Sequence, residues 1–300
     1  MVFCLVLESL LTGKEALKHP FFMLVVSFFI CSVSLWAAFL SFPKSSSILA
    51  IAFVTIALVP LFHWVFVNEE EKEAERPGFA ALFLARHFNV VKVYAFFFIG
   101  LILAYAFWYS VVSPEVRLVM FAEQESALAG IEGLRESLAG DASLAGLFSF
   151  SGIPCESEPF CWFNVIFVNN AFFVLMPALF FSFVFGAGAV FLIGWNASVL
   201  GVLIGKDFVQ YAASHGGITA LGVALQRFLG ILPHGLFESL GYFVGAIAGG
   251  IIGAAVSKKR HRRGETWTIT KDVTVLLLYA FGLILIGAII ETYAIVSSML

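Results

Sequence analysis

The sequence predicts an all-α polytopic membrane protein of about six transmembrane helices. One helix is expected to be broken or re-entrant at Leu232–Gly235, and an acidic helical loop is expected outside the membrane. Three observations carry this fold class. Of the 300 residues, 61% are hydrophobic and only 12% charged, at a mean hydropathy of +0.98, whereas a soluble domain is about 25% charged. The apolar residues gather into runs long enough for a hydrocarbon core of about 30 Å. The charges are segregated between those runs, so the formal net charge of −3 carries little information by itself.

Residues 1–20 read as an interfacial amphipathic helix, with Val2, Leu5, Leu10 and Leu11 beside Glu8, Lys14 and Lys18. They lack the short apolar region and small-residue cleavage pattern of a signal peptide. Residues 21–112 hold three spans, Phe21–Phe42, Ile48–Val67 and Val93–Val112. A charged cytoplasmic connection occupies 68–92, where Asn68–Arg76 (NEEEKEAER) reads as a solvated helix extension. Residues 113–162 form the acidic loop, read as one or two short helices over Pro114–Leu147 with a break at Gly140-Asp141. Residues 163–300 contain the runs Asn164–Gly194, Ile218–Val256 and Val273–Met299, with a basic loop at 257–271. The run 218–256 is too long for one crossing. It suits two spans, or a re-entrant half-helix and a full span, with Leu232-Pro-His-Gly235 as the break.

Orientation follows from the excess of Lys and Arg in cytoplasmic loops. After residue 256 the loop carries Lys258, Lys259, Arg260, Arg262, Arg263 and Lys271 against Glu265, which places it in the cytoplasm. The loop 113–162 carries Glu115, Glu123, Glu125, Glu132, Glu136, Asp141, Glu156 and Glu158 against Arg117 and Arg135, which places it outside. Counted from a cytoplasmic N-terminus, both assignments agree only if Ile218–Val256 crosses an even number of times.

Polar residues inside apolar runs mark the candidate site, because a charge at the centre of a span costs roughly 2.5–3.5 kcal/mol. His234 and Glu238 stand four apart on one helical face, and Pro233 suits a first helical turn. Gly241, Gly245, Gly249 and Gly253 continue that face; at about 100° per residue, the six positions fall in an arc of roughly 120°. Asn169, Asn170, Asn196, Gln226, Arg227 and Glu291 complete the set, with His63 more isolated. Arg227 is expected to pair with Glu238 or Glu291, since buried charges cost less together than alone.

The His234–Glu238 pair fits three roles: a structural lock at the helix break, a proton or ion pathway, or a metal or catalytic centre. The last would need a third ligand from Glu291 or His63. The glycine repeat suits close helix packing, either within one subunit or between two. Gly186, Gly188, Gly194, Gly201 and Gly205 lend the fourth span a similar character, so the two glycine-rich elements are candidates to pack on each other. The cytoplasmic basic cluster sets topology or binds anionic headgroups. Cys4 and Cys31 lie in apolar surroundings, whereas Cys155 and Cys161 flank a short polar loop and form a disulfide candidate if it faces an oxidising compartment. There is no His-Glu-x-x-His, Gly-x-Ser-x-Gly, Walker or dinucleotide motif. No cofactor or nucleic-acid partner is expected, and no enzymatic activity.

The order Asn169-Asn170, Asn196 with Gly201, and Pro233-His234-Gly235 with Glu238 resembles the stage II sporulation protein M family. Those integral membrane proteins have a pattern resembling NN…NG…G…PHG-x-x-E. The resemblance covers about residues 165–256 and leaves the acidic loop and the first two spans outside. This chain has Asn196-Ala197 where the family tends to have Asn-Gly. The resemblance implies a membrane anchor and scaffold, since the sporulation member works with partner proteins in a complex that remodels peptidoglycan during engulfment.

The expected function is a non-enzymatic scaffold or assembly component of an envelope complex. The chain is expected in the cell membrane as a homo-oligomer, a dimer favoured, with an extracytoplasmic protein docked on the outer loop. The alternative is a transporter or an ion or proton channel with a polar track through Asn170, Arg227, His234, Glu238 and Glu291.

Overall fold

Lipid offers a backbone no hydrogen-bond partners, so each spanning segment must satisfy its own N–H and C=O groups as a helix. The computed structural model describes residues 16, 19–75, 83–129, 158–176, 179–180, 189–257 and 263–297. Among these residues, six helices are long and apolar enough to cross a membrane. In chain order the elements are α1 (Phe21–Ser41), a 3₁₀ turn (Pro43–Ser45), α2 (Ser46–Glu75), α3 (Phe83–Val111) and the short α4 (Pro114–Met120). Then come α5 (Pro159–Val168), which continues as a π-helical segment (Asn169–Leu175), α6 (Ala189–His215), α7 (Gly217–Ser257) and α8 (Arg263–Ser297). The chain is a multi-pass, all-α membrane protein.

The helices form two groups joined through α6 and α7. α1, α2, α3 and α6 pack together, while α7 packs most extensively on α8, with α5 lying against α8. A ring cluster stitches the groups: Tyr94 of α3 stacks on Phe243 of α7 at 5.5 Å between centroids and meets Phe62 of α2 at 4.7 Å. Glycine lets α6 lie directly on α3. A Cβ at Gly201 would stand 2.6 Å from the Tyr105 Cβ, and one at Gly205 2.9 Å from the Tyr109 Cβ. Gly201 and Gly205 therefore serve α3, rather than the glycines of α7.

These contacts give the helix directions. Gly194, Gly201 and Gly205 follow Leu101, Tyr105 and Tyr109 in the same order, so α3 and α6 are parallel. Gly241 faces Ala280 and Ile284, while Gly287 faces His234 and Glu238, so α7 and α8 are antiparallel. The end of α3, where the acidic loop begins, and the end of α7 thus lie on opposite faces of the bundle.

Two expectations about the spans are corrected. Ile218–Val256 neither breaks nor crosses twice; α7 is one helix of 41 residues with Pro233 in its interior. Pro removes one backbone hydrogen bond, but ending the helix within lipid would strand several, each costing kilocalories. The direction count is met elsewhere, because Asn164–Gly194 is not one span. Its first part belongs to α5 and the π-helical segment, and Ala189 already begins α6. Phe160 and Phe163 of α5 lie beside Tyr293 and Val296 of α8, so α5 starts on the acidic face and runs inward alongside α7.

Residues 114–129 of the acidic loop are seated on the helix ends. Ser46 and Ser47 of α2 donate from their hydroxyls to the carbonyls of Val119 and Met120, both at 3.1 Å. The Gln124 amide donates to Ser198 Oγ at 3.1 Å. Glu125 accepts from the Tyr109 hydroxyl and pairs with Lys206 Nζ at 3.3 Å. Glu123 is exposed. Residues 1–15, the greater part of the N-terminal amphipathic helix with Cys4, lie outside the described residues, as do Glu132, Glu136, Asp141, Cys155 and Lys258–Arg262. The His63 side chain does also.

α6 and α7 form a hairpin around Gly216, whose φ of +83° is the left-handed conformation that glycine adopts without steric cost. At 1.5 Å per residue, α7 measures about 60 Å, twice the hydrocarbon thickness. Its N-terminal part and the end of α6 project on the acidic face, roughly 12 Å beyond the end of α3 by the same rise per residue.

Candidate functional site

Glu238 sits on α7 at the meeting point of three helical elements. The Asn170 side-chain amide, on the π-helical segment, donates to Glu238 Oε1 at 2.7 Å. Tyr242, one turn beyond Glu238, donates from its hydroxyl to Asn170 Oδ1 at 2.9 Å. From α8, the Glu291 carboxyl stands beside that of Glu238. Asn170 and Tyr242 are both only 7% exposed. Gly287, one turn before Glu291, makes room for this cluster: a Cβ there would lie 2.6 Å from Glu238 Cγ.

The π-helical segment explains how Asn170 reaches its partners. A π turn adds a residue to the helical repeat and re-aims side chains, which is why such turns are common at functional sites. Asn169 points outward, is exposed, and donates weakly to Asn170 Oδ1 at 3.3 Å.

Other candidates fall elsewhere. Asn196 donates to the Leu192 carbonyl of its own helix at 2.9 Å and takes no part in the cluster. Arg227 pairs with neither Glu238 nor Glu291. Its Nε donates to Asp207 Oδ2 at 2.9 Å and its Nη2 to Oδ1 at 3.4 Å, across the α6–α7 hairpin. The Asp207 side chain is 5% exposed and that of Arg227 59%, so this pair closes the hairpin near the bundle surface. His234 stands one turn before Glu238, but its buried Nδ1 has no hydrogen-bond partner among the described residues. Pro233 and Gly235 lie within continuous helix. Gly241 packs on α8 and Gly245 on Leu175 of the π-helical segment, both within one chain, and Gly249 is buried. Cys161 is disulfide-bonded, and Cys31 is free and fully buried.

Asp207 and Tyr242 were not anticipated from sequence. Tyr242 had a signal, its i+4 position on the Glu238 face. Asp207 and Arg227 bracket Gly216 at nearly equal distances, which becomes informative only once the hairpin is known. Among the described residues, no group of three or more His, Cys, Asp or Glu is placed to hold a metal ion.

A second feature lies on the projecting part of α7. Ile218 is 92% exposed, Leu221 62%, Leu225 54% and Leu229 53%, and Leu232 and Leu236 are exposed as well. Their spacing of 3, 4, 4, 3 and 4 places all six within an arc of roughly 80° at 100° per residue. On a membrane-spanning helix such a stripe meets lipid or a neighbouring chain.

The model of the family described as Stage II sporulation protein M matches residues 52–294. The match is wider than the stretch 165–256 that carries the motif, and it takes in the acidic loop and most of α2 and α3. No curated protein and no solved structure matches the chain.

Proposed function

We propose, from the premise that this chain belongs to the stage II sporulation protein M family, that it is a non-enzymatic assembly component of the membrane. In this reading it joins other chains through its projecting α6–α7 hairpin. The observation that carries the proposal is the exposed apolar stripe from Ile218 to Leu236, whose upper turns rise past the ends of α3 and α8. The Glu238 cluster supports the same reading. The bonds from Asn170 to Glu238 and from Tyr242 to Asn170 join the π-helical segment to α7, so they hold those two elements in register beneath the hairpin. The N-terminus is assigned to the cytoplasm, with the hairpin outside, because the basic segment follows the end of α7 opposite to the hairpin.

The test is the native mass of the full chain purified from its own membranes in mild detergent, with the Leu221→Glu/Leu225→Glu variant alongside. A mass above one chain that falls in the variant supports the proposal. A wild-type mass of a single chain overturns it.

One observation favours a second reading. Two carboxyl groups side by side within the span, Glu238 and Glu291, suit a proton-handling site within the membrane. Proton flux into liposomes that disappears in Glu238→Gln, with expression unchanged, would favour it; equal flux in both would exclude it.

A further inference from the structure

We propose that a water molecule is bound inside the bundle beneath residues 114–129, bridging the Tyr105 hydroxyl of α3 to the side-chain carbonyl oxygen of Gln124. This site is separate from the Glu238 cluster and from the α6–α7 hairpin.

A polar group sealed inside a protein is costly unless it is bonded. Gln124 and Tyr105 are both fully buried. Gln124 Oε1 and the Tyr105 hydroxyl nevertheless have no hydrogen-bond partner among the described residues. Turning the Gln124 amide over does not help. Ser198 Oγ gives its proton to the Trp195 carbonyl at 2.7 Å, so towards Gln124 it can only accept, and the amide nitrogen donates to it at 3.1 Å. The amide oxygen is thereby fixed on the other side, an acceptor in need of a donor.

The same neighbours enclose both groups. Gly201 of α6 lies against the Tyr105 Cβ, and Ser198, one turn earlier on α6, holds Gln124. Phe121, one turn before Gln124, meets the Tyr105 ring edge-on at 6.0 Å between centroids. Long side chains on a helix lean towards its N-terminus. Because α3 runs parallel to α6, the Tyr105 hydroxyl drops from the level of Gly201 to that of Ser198. The unpaired donor and the unpaired acceptor thus face one place between α3, α6 and the segment after α4. The Cys31 thiol of α1 stands nearby, also fully buried, and offers a weak third contact.

Water matches this set of groups. A buried water typically makes about three hydrogen bonds to groups that otherwise lack them. Here it accepts from Tyr105 and donates to Gln124. A cation could not accept the hydroxyl proton, and an anion would be repelled by the amide oxygen.

Radiolytic footprinting of the full chain in detergent reads the site directly, since an X-ray pulse splits bound water into hydroxyl radicals that oxidise the side chains beside it. Phe62 and Phe97, packed ring to ring in the core, are as deeply buried as Phe121 and serve as the comparison. Phe121 is expected to be oxidised about tenfold faster than either, because a buried water lies next to it alone. Gln124→Met keeps the volume, removes the acceptor, and is expected to bring Phe121 down to the rate of the other two. A wild-type Phe121 as inert as Phe62 and Phe97 overturns the proposal, and a dry, direct Tyr105–Gln124 bond would give that result. Fast oxidation of Phe121 that persists in Gln124→Met overturns the assigned bridge. Should that variant not fold, Tyr105→Phe removes only the hydroxyl and is expected to give the same loss.

Discussion

Asn170 reaches Glu238 across 68 residues of sequence with a hydrogen bond of 2.7 Å. That bond is the closest polar tie between the π-helical segment and α7, and Tyr242 holds Asn170 in place from the other side at 2.9 Å. In a medium without water, such groups have no competing partner, so the network specifies how the helices meet as well as stabilising them.

Glu238→Gln keeps a carbonyl oxygen for the Asn170 amide, whereas Glu238→Ala leaves that buried donor without its acceptor. The alanine variant is expected to lose about 1–3 kcal/mol and the glutamine variant less. Thermal unfolding in detergent, read by loss of the monodisperse peak, checks the order. Equal losses would remove the bond from the account.

Gly287→Ala drives a methyl to 2.6 Å from Glu238 Cγ and 3.3 Å from the His234 carbonyl oxygen. Overpacking of that kind costs about 1–3 kcal/mol. Gly282→Ala, on the same helix, meets nothing within 4 Å and is expected to be neutral or slightly stabilising. The difference between the two melting temperatures is the measurement.

At the hairpin, the two members of the ion pair are unequal. Removing Arg227 leaves the Asp207 carboxylate buried without its cation and is expected to cost about 1–3 kcal/mol. Asp207→Asn leaves an exposed guanidinium that water solvates, and its cost is expected below about 1 kcal/mol. Protease susceptibility of the α6–α7 hairpin should rise in Arg227→Ala and hardly change in Asp207→Asn.

Cys161 is disulfide-bonded, so it should resist maleimide labelling in native membranes until reductant is added. Cys155→Ser identifies the partner: prompt labelling of Cys161 in that variant is expected, and continued protection would assign the bond to another cysteine. Cys31, fully buried, should stay unlabelled until the chain is denatured.

The fold class was legible because the bilayer writes it in bulk properties. Runs such as Phe21–Phe42 and Val93–Val112 must be apolar and must be helical, and neither condition depends on what they touch. The importance of Glu238 was legible for the same reason, since a carboxyl at that depth needs a partner. Which partner it finds was not. Arg227 is eleven residues from Glu238 and faces Asp207 instead, because the turn at Gly216 folds α7 back along α6 and sets those two at one height.

By itself, then, the sequence determined that this chain crosses the membrane repeatedly as helices, where its charged loops divide, and that polar groups near Glu238 must be satisfied inside. Only the tertiary structure decided that α7 runs unbroken through Pro233, that Gly241 and Gly245 are filled from within, and that the leucines from Leu221 to Leu236 are left bare. The reason is that in lipid an apolar residue is equally compatible with a neighbouring helix, a second subunit or the bilayer. Hydropathy marks the span, and packing alone chooses which face is covered.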